Sequence, residues 1–381
     1  MENAINKKAF ALVGNLFVKQ KEELAAEPKQ SPGLEGSMKE RGFLDLSSKL
    51  DRMGISRSVR DGICNAILFE DENGTVGFSG NSLKEFHSLC SEIESLPEFD
   101  KKISLSFIED ISFEWMVKIQ KTAVAQQSLI DHIKSHLENS LTEYQFFFLV
   151  HNIDIVLPFK IGNVEFTFFT EKHMDAFYTS LEASPTSTMT KEQFDQIIRS
   201  EFQGRVVTMV TVAAERKKAE MLAKRYAELA VDVLKIYSLA SQIPDETFAF
   251  ELSHRLGYPV KNIFLSKKKS SEFDYSLNLS FNNSTHPHFD ENFLRDGELN
   301  GLTTLSNYIA LNKTDELYRF IVNGIELLSF ALSIPDMHRR AIALITTLES
   351  LFLEEDKKKD MEGKAKARLA KMLPGTFAEK E

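Results

Sequence analysis

The clearest pattern along the chain is a strict alternation of apolar and polar residues at 273–281. In this run, FDYSLNLSF, every second residue from Phe273 to Phe281 is apolar. Successive side chains of a strand point to opposite faces, so the run predicts a strand with one buried and one exposed face. Aromatic and β-branched residues are also dense at 143–169, around a Gly-Asn pair at 162–163. We therefore expect a β-hairpin or meander there.

Helical spacing dominates most of the remaining chain. A long helix is predicted over 206–242, because apolar residues recur at steps of four and three: Leu222, Tyr226, Leu229, Val233, Ile236 and Ala240. Such spacing suits packing along another helix, or on the core of its own domain. The stretch 112–140 is predicted as one helix, and the chain from about 291 onward as several. Two of these later helices are separated by Pro335-Asp336.

Together these patterns predict an α+β fold in which helices predominate and the strands are antiparallel. A chain of 381 residues is long enough for two domains, or for one large domain with an insertion. We expect a mostly helical region at 1–142 and a β-containing region at 143–290 that carries the long helix. A helical bundle is expected at 291–381.

Composition narrows the class of protein. Hydrophobic residues make up 43% and charged residues 27% of the chain, which is typical of a soluble globular protein. No apolar run reaches 18 residues, so no membrane span is predicted. The N-terminus lacks the pattern of a signal peptide. Two cysteines, Cys64 and Cys90, are too few for a disulfide framework, and we expect a cytoplasmic protein.

Charge argues against a general nucleic-acid coat protein, because the net charge is −10. One local exception is the stretch 357–371, which holds seven basic residues: Lys357, Lys358, Lys359, Lys364, Lys366, Arg368 and Lys371. A basic run of this kind can border an anionic ligand. It can also be an ordinary solvated helix face.

No motif in the sequence places an active site. The glycine-rich stretch 74–82 lacks the spacing of a phosphate-binding loop, and no hydrolase or kinase signature occurs. His132 and His136 lie four apart on a predicted helix and could hold a metal, but the sequence names no third ligand. The polar run 285–292, with His286, His288, Asp290 and Glu291, is equally explained as a surface loop. We therefore expect no metal and no cofactor.

The C-terminal run RRAIALITTLESLFLEEDKKKDMEGKAKARLAKMLPG resembles the HEPN domains of bacterial anti-phage proteins, particularly the ApeA-like group. The similarity rests on the order of a helix carrying Thr347 to Leu351, a charged linker, and a second helix from Ala365 to Leu373 that includes Arg368. The aromatic run within 143–169 is similar, more weakly, to the β segment that precedes such domains in large defence proteins.

This resemblance implies a small helical bundle that pairs into a homodimer. Many HEPN domains are metal-independent ribonucleases that use an Arg, four to six residues and then a His. In such chemistry a base activates the ribose 2′-OH, a cation stabilises the phosphate and an acid protonates the leaving oxygen. No Arg-His pair at that spacing occurs here; His254 and His338 each directly precede an arginine. We therefore expect the catalytic helix to be missing from this chain.

Two hypotheses follow. In the first, the chain is an abortive-infection toxin, an RNA-cleaving effector with an N-terminal sensor that answers to a phage-derived trigger. The resemblance then implies Glu349 as a supporting polar residue of the cleft, and RNA contacts at Lys364, Lys366, Arg368 and Lys371. In the second, the chain is a non-catalytic interaction protein that dimerises through its C-terminal helices and binds a partner protein.

Overall fold

The computed structural model describes residues 2–20, 55–60, 63–71, 74–122, 127–175, 191–238, 250–255, 264–268, 273–276, 288–334 and 336–352. As predicted, it is an α+β fold with antiparallel sheets in which helices predominate. The chain divides into two compact units. Unit 1 comprises Met1–Thr142 and Ala213–Lys218, and unit 2 comprises Glu143–Val212 and Ala219–Glu381. The three-part division of the chain at 142 and 290 stays a prediction.

The described part of unit 1 combines four helices with one sheet. The helices are α1 (Glu2–Val13), α2 (Gly80–Glu94), α3 (Leu105–Thr122) and α4 (Leu129–Ser140). The strands are β1 (Phe17–Gln20), β2 (Ile55–Arg60), β3 (Ile63–Asp71) and β4 (Gly74–Ser79), which pair antiparallel in the order β1-β4-β3-β2. The four helices hold more of the described residues of this unit than the four strands do.

The core of unit 1 contains a cluster of three fully buried phenylalanines. Phe78 on β4, Phe86 on α2 and Phe113 on α3 have ring centroids 5.1–6.2 Å apart. Each ring of this size buries a large apolar area, and edge-on or offset contacts add to the gain. The cluster joins the sheet to the helices within the apolar core of the unit.

The stretch 112–140 forms two helices, so the prediction of one continuous helix was wrong. Ser128 has an extended backbone, and its side chain accepts a hydrogen bond from the Asp131 amide at 3.2 Å. A serine in this position caps the start of a helix, because it satisfies an amide that has no partner within the helix. This cap begins α4 anew and lets it pack against α3.

Unit 2 is built around a seven-stranded sheet. Its strands follow the order β12-β11-β5-β9-β8-β7, and β10 also pairs with β5. They are β5 (Thr142–His151), β7 (Phe159–Ile161), β8 (Val164–Phe168), β9 (Val206–Ala214), β10 (Glu251–Leu252), β11 (Phe264–Lys268) and β12 (Phe273–Ser276). Of the two alternatives predicted for 143–169, the hairpin is confirmed, because β7 and β8 pair antiparallel around Gly162 and Asn163. A meander is not formed, because β9 lies between β5 and β8. The strand predicted at 273–281 is present as β12 in its first four residues, and 277–281 lies outside the described ranges.

The long helix predicted at 206–242 begins ten residues later. Val206–Ala214 is strand β9, hydrogen-bonded between β5 and β8, and helix α6 spans Arg216–Tyr237. The sequence of β9, VVTMVTVAA, is rich in β-branched residues, which fit a pleated sheet better than a helix. The heptad-like spacing from Leu222 to Ile236 lies within α6.

The remaining elements of unit 2 are mainly helical. A short parallel pair joins β6 (Asp154–Ile155) to β13 (His288–Phe289). The helices are α5 (Lys191–Glu201), α7 (Glu291–Leu299), α8 (Leu302–Ala310), α9 (Glu316–Leu332) and α10 (Met337–Phe352). Asp290 and Asp315 cap α7 and α9 through the amides of Phe293 and Tyr318. Helices α9 and α10 pack against each other as a helical hairpin, while a HEPN-like bundle stays a prediction.

Candidate functional site

Helix α10 has its apolar and polar sides reversed relative to an ordinary surface helix. Its two most buried side chains among those described are polar: Arg340 and Thr347, each 4% exposed. Four of its large apolar side chains face outward instead: Met337 (53% exposed), Ile342 (65%), Ile345 (57%) and Leu348 (46%). A surface helix normally turns its apolar stripe toward the core. These four side chains are therefore left uncovered in the described part of the chain.

Each of the two buried polar side chains of α10 makes a local hydrogen bond. Arg340 donates from Nε to the Ile334 carbonyl at 2.9 Å, and Thr347 donates from Oγ1 to the Ala343 carbonyl at 2.8 Å. The start of the helix is fixed by Asp336, whose carboxylate accepts from the Arg339 amide at 2.8 Å. All three bonds join α10 to itself or to the residues directly before it.

Helix α9 also exposes apolar side chains. Its exposed apolar side chains are Leu317, Phe320, Leu327 and Phe330, whereas Tyr318, Val322, Ile325 and Leu332 on its other side are buried. At 100° per residue, the exposed set on each helix spans an arc of about 140°. We call the eight exposed residues together the hairpin face: Leu317, Phe320, Leu327, Phe330, Met337, Ile342, Ile345 and Leu348.

The hairpin face is large for a monomer. A large side chain that is about half exposed leaves on the order of 90 Å² open, so eight give on the order of 700 Å² of apolar surface. The largest apolar patch on a typical monomer is roughly 300–600 Å², and larger ones mark interaction sites. A standard protein interface buries about 800 Å² per partner. The hairpin face therefore has the size of an interface.

A cavity of about 530 Å³ lies between α6 and the start of α9 in unit 2. Three cationic side chains line it: Arg225, Lys313 and Arg319. Arg225 forms an ion pair with Glu326, and Lys313 and Arg319 are exposed. Tyr226 and Tyr318 add aromatic surface. Cations beside aromatic rings suit an anionic ligand, including a phosphate of a nucleic acid.

Unit 2 also contains a buried network of charged residues, centred on Asp232. Its Oδ1 accepts from Arg255 Nη1 and from Ser329 Oγ, each at 2.7 Å. Burial raises the pKa of Asp232 although these hydrogen bonds act to lower it. Burial disfavours the Arg255 cation too, but its hydrogen bond with Asp232 and attraction to the surrounding acids raise its pKa. The carboxylate is therefore expensive to bury, and each donor that it accepts from offsets part of that cost.

Two further pairs complete this network. Lys235, 6% exposed, donates from Nζ to Glu251 Oε2 at 2.6 Å and to Ser333 Oγ at 3.2 Å. His254 Nε2 lies 2.8 Å from Glu228 Oε1. Burial acts to raise the pKa of Glu228, but His254 and Arg255 outweigh it and lower that pKa. Each of these charged groups has a partner of opposite charge, which is the arrangement of a structural polar core.

Most of the site residues implied by the HEPN resemblance stay predictions. Glu349 lies exposed on α10, close in sequence to Leu348 of the hairpin face. Lys364, Lys366, Arg368 and Lys371 lie outside the described residues. The structure gives Asp290 a capping role at the start of α7. His254 and Arg255 both face acids on α6.

The two histidines named from the sequence as metal candidates lie beside a third potential ligand. One donor atom each of Glu114, His132 and His136 lies within 4.8 Å of the others. Glu114 is on α3 and the histidines are on α4. The sequence could not indicate Glu114, because its proximity depends on how α3 and α4 pack. The spacing of the two histidines was the available signal.

Comparison with known proteins identifies no family. No protein-family model, no curated protein and no solved structure matches the chain. Within the described ranges, no helix combines the length and the apolar character needed to cross a membrane.

Proposed function

We propose that this protein is an interaction protein that pairs with a second copy of itself through the hairpin face. The observation that carries the proposal is the reversed helix α10, which buries Arg340 and Thr347 while it exposes Ile342, Ile345 and Leu348. A folded chain gains nothing from turning this side to water. The arrangement is stabilising when another apolar surface covers it.

A second copy is the occupant that we favour for two reasons. The hairpin face comes close to the roughly 800 Å² per partner of a standard interface. A single apolar patch on one pair of helices can also be self-complementary about a two-fold axis, which is the commonest symmetry of homo-oligomers. The HEPN resemblance of residues 339–373 points to the same partner. A paired protein of this kind would act by presenting unit 2 to a further partner protein.

Sedimentation analysis of the purified chain over a range of concentrations tests this proposal. We expect a particle of twice the 43.3 kDa chain mass at micromolar concentration. The double variant Ile342→Glu/Ile345→Glu places two charges in the interface and should give a monomer with an unchanged circular dichroism spectrum. Thr304→Glu, at an exposed polar position on α8, is the matched control and should remain dimeric.

Two results would overturn the pairing. One is a wild-type chain that is monomeric up to high concentration, for example because residues 353–381 of the same chain cover the hairpin face. The other is a dimer that survives the double variant. Binding of an unrelated protein in place of a second copy would leave the wild type monomeric in isolation, and so counts as the first result.

The second candidate function is RNA binding and cleavage by an anti-phage effector, as the HEPN resemblance implies. The observation that favours it is the cavity lined by Arg225, Lys313 and Arg319, which suits a phosphate backbone. The chain has no Arg-x(4–6)-His pair, so we expect it to bind RNA without cutting it. A phage-derived trigger and a protective effect in infected cells remain parts of this second proposal.

Fluorescence anisotropy with a single-stranded RNA tests the second candidate. We expect the double variant Lys313→Glu/Arg319→Glu to weaken binding by about tenfold or more, with a shallower dependence on salt, because phosphate contacts release counterions. Lys160→Glu, an exposed cation on β7, is the control. If wild type and both variants all fail to bind RNA while the dimer forms, the second candidate is wrong and the first is unaffected.

A further inference from the structure

We propose that Glu114, His132 and His136 form a binding site for a divalent transition metal of the zinc class in unit 1. This site is independent of the hairpin face, which belongs to unit 2. We call the three residues the Glu-His-His cluster.

The geometry of the cluster follows from two packed helices. His132 and His136 lie four residues apart on α4, so their rings share one face, with centroids 4.6 Å apart in an edge-on arrangement. Helix α3 packs against α4 and contributes Glu114 to the same face. One donor atom of each residue lies within 4.8 Å of the other two. Two imidazoles and one carboxylate are the ligands of many catalytic zinc sites.

Two polar atoms of the cluster have no hydrogen-bond partner among the described residues. They are His132 Nε2 and Glu114 Oε2, and both are buried from solvent. His132 is only 7% exposed. A buried polar group without a partner costs roughly 1–3 kcal/mol. Most buried polar groups in folded proteins are therefore satisfied. Two such atoms on adjoining side chains indicate a ligand that both would bind.

Neighbouring residues position the cluster as they would around a metal. Gln127 Nε2 lies 2.7 Å from His132 Nδ1, and the Gln127 carbonyl accepts from Trp115 Nε1 at 3.1 Å. Metal binding at Nε2 requires the proton to be on Nδ1, and a half-turn of the Gln127 side-chain amide would then present its oxygen to Nδ1–H. His132 then keeps Nε2 free as a ligand, while its Nδ1–H donates to Gln127. A metal-bound histidine usually makes such a second hydrogen bond through its other ring nitrogen. Lys118 pairs with Glu114 Oε1 and leaves Oε2 for the cluster.

The surroundings of His132 disfavour its protonated form. Burial lowers the pKa of His132 to about 4, with the nearby His136 and Lys118 acting in the same direction and Glu114 against them.

The donor set selects the class of ion. Calcium and magnesium prefer oxygen ligands, whereas imidazole with carboxylate suits zinc and its first-row neighbours. Tetrahedral zinc with ligand distances near 2.0–2.1 Å places its ligand atoms about 3.3 Å apart, so loading would draw the three side chains together by roughly 1–1.5 Å. Three protein ligands leave a fourth position for water or a substrate oxygen.

Titration of the chelator-treated full chain with Co²⁺ and Zn²⁺ tests the proposal. We expect one Co²⁺ per chain with the visible absorption of a four- or five-coordinate site, and displacement of Co²⁺ by Zn²⁺. Glu114→Gln and His136→Asn should each weaken Zn²⁺ affinity by at least about tenfold, since even residues that only support a metal ligand contribute that much. Glu138→Gln, an exposed acid on the same helix, should change nothing.

A second measurement covers variants that fold poorly. Zn²⁺ at saturating concentration should raise the thermal unfolding temperature of the wild type, because a ligand that binds only the folded state stabilises it. Glu114→Gln should abolish this rise. Substoichiometric binding by the wild type, or binding that is unchanged in both ligand variants, would overturn the site. In that case the cluster is a buried polar group hydrated by ordered water.

Discussion

The two units of this protein each bury a group of charged or titratable side chains, and the two groups differ in how completely they are paired. In unit 2, Asp232 accepts from Arg255 and Ser329, and Lys235 donates to Glu251. In unit 1, the Glu-His-His cluster leaves His132 Nε2 and Glu114 Oε2 without a partner among the described residues.

This difference in pairing distinguishes a group that stabilises the fold from a group that binds a ligand. In a network where each charge meets an opposite charge, the cost of burial is offset within the fold, and the bond from Ser329 to Asp232 joins α9 to α6. A cluster with buried, unpartnered atoms carries a cost that a ligand would remove. The degree of pairing therefore assigns the first group to stability and the second to binding.

The largest expected loss of stability comes from removing one charge from the buried network of unit 2. Asp232→Asn keeps the shape of the side chain but removes the charge opposite Arg255, and breaking a buried pair from one side costs about 3 kcal/mol or more. We expect the unfolding temperature of unit 2 to fall by roughly 6–12 °C in a thermal scan followed by circular dichroism.

A surface pair supplies the control for this loss. Lys8 and Glu92 lie 2.7 Å apart, but their side chains are 57% and 42% exposed, and Lys8→Met should cost at most about 1 kcal/mol. If Asp232→Asn costs no more than this surface variant, the network is not a structural element and the comparison between the units fails.

A smaller effect is expected from the matching change in unit 1. Glu114→Gln in metal-free protein removes a buried charge whose remaining partner, Lys118, is 58% exposed and free to turn into water. We expect a change in unfolding free energy of less than about 1 kcal/mol in either direction, measured by urea denaturation. A loss of unfolding free energy as large as that of Asp232→Asn would show that Glu114 stabilises the fold and is not reserved for binding.

Local sequence patterns predicted much of the fold of unit 2, and the missed parts have identifiable causes. Strands β5 and β8 follow from dense aromatic and β-branched residues. Strand β9 was missed because its nine residues are followed almost directly by α6. The helical spacing from Leu222 onward was wrongly assumed to continue back to Val206. The break before α4 had a signal in Ser128 and Asp131, a capping pattern inside an otherwise helical stretch.

The sites were less accessible to sequence reasoning, because they depend on how helices rotate and pack. His132 and His136 share a face by spacing alone, but Glu114 joins them only through the contact between α3 and α4. Ile345 and Leu348 are apolar residues at helical spacing, and the sequence does not show that they face solvent. Their exposure depends on the rotation of α10 about its axis.

The exposed apolar side of α10 links the association state of this protein to its concentration in the cell. If its apolar side is covered by a second copy, the paired fraction follows mass action and rises steeply with the number of copies present. Gene dosage, synthesis rate and turnover would then act directly on the state of the protein, so that abundance becomes a control input without a dedicated regulatory ligand.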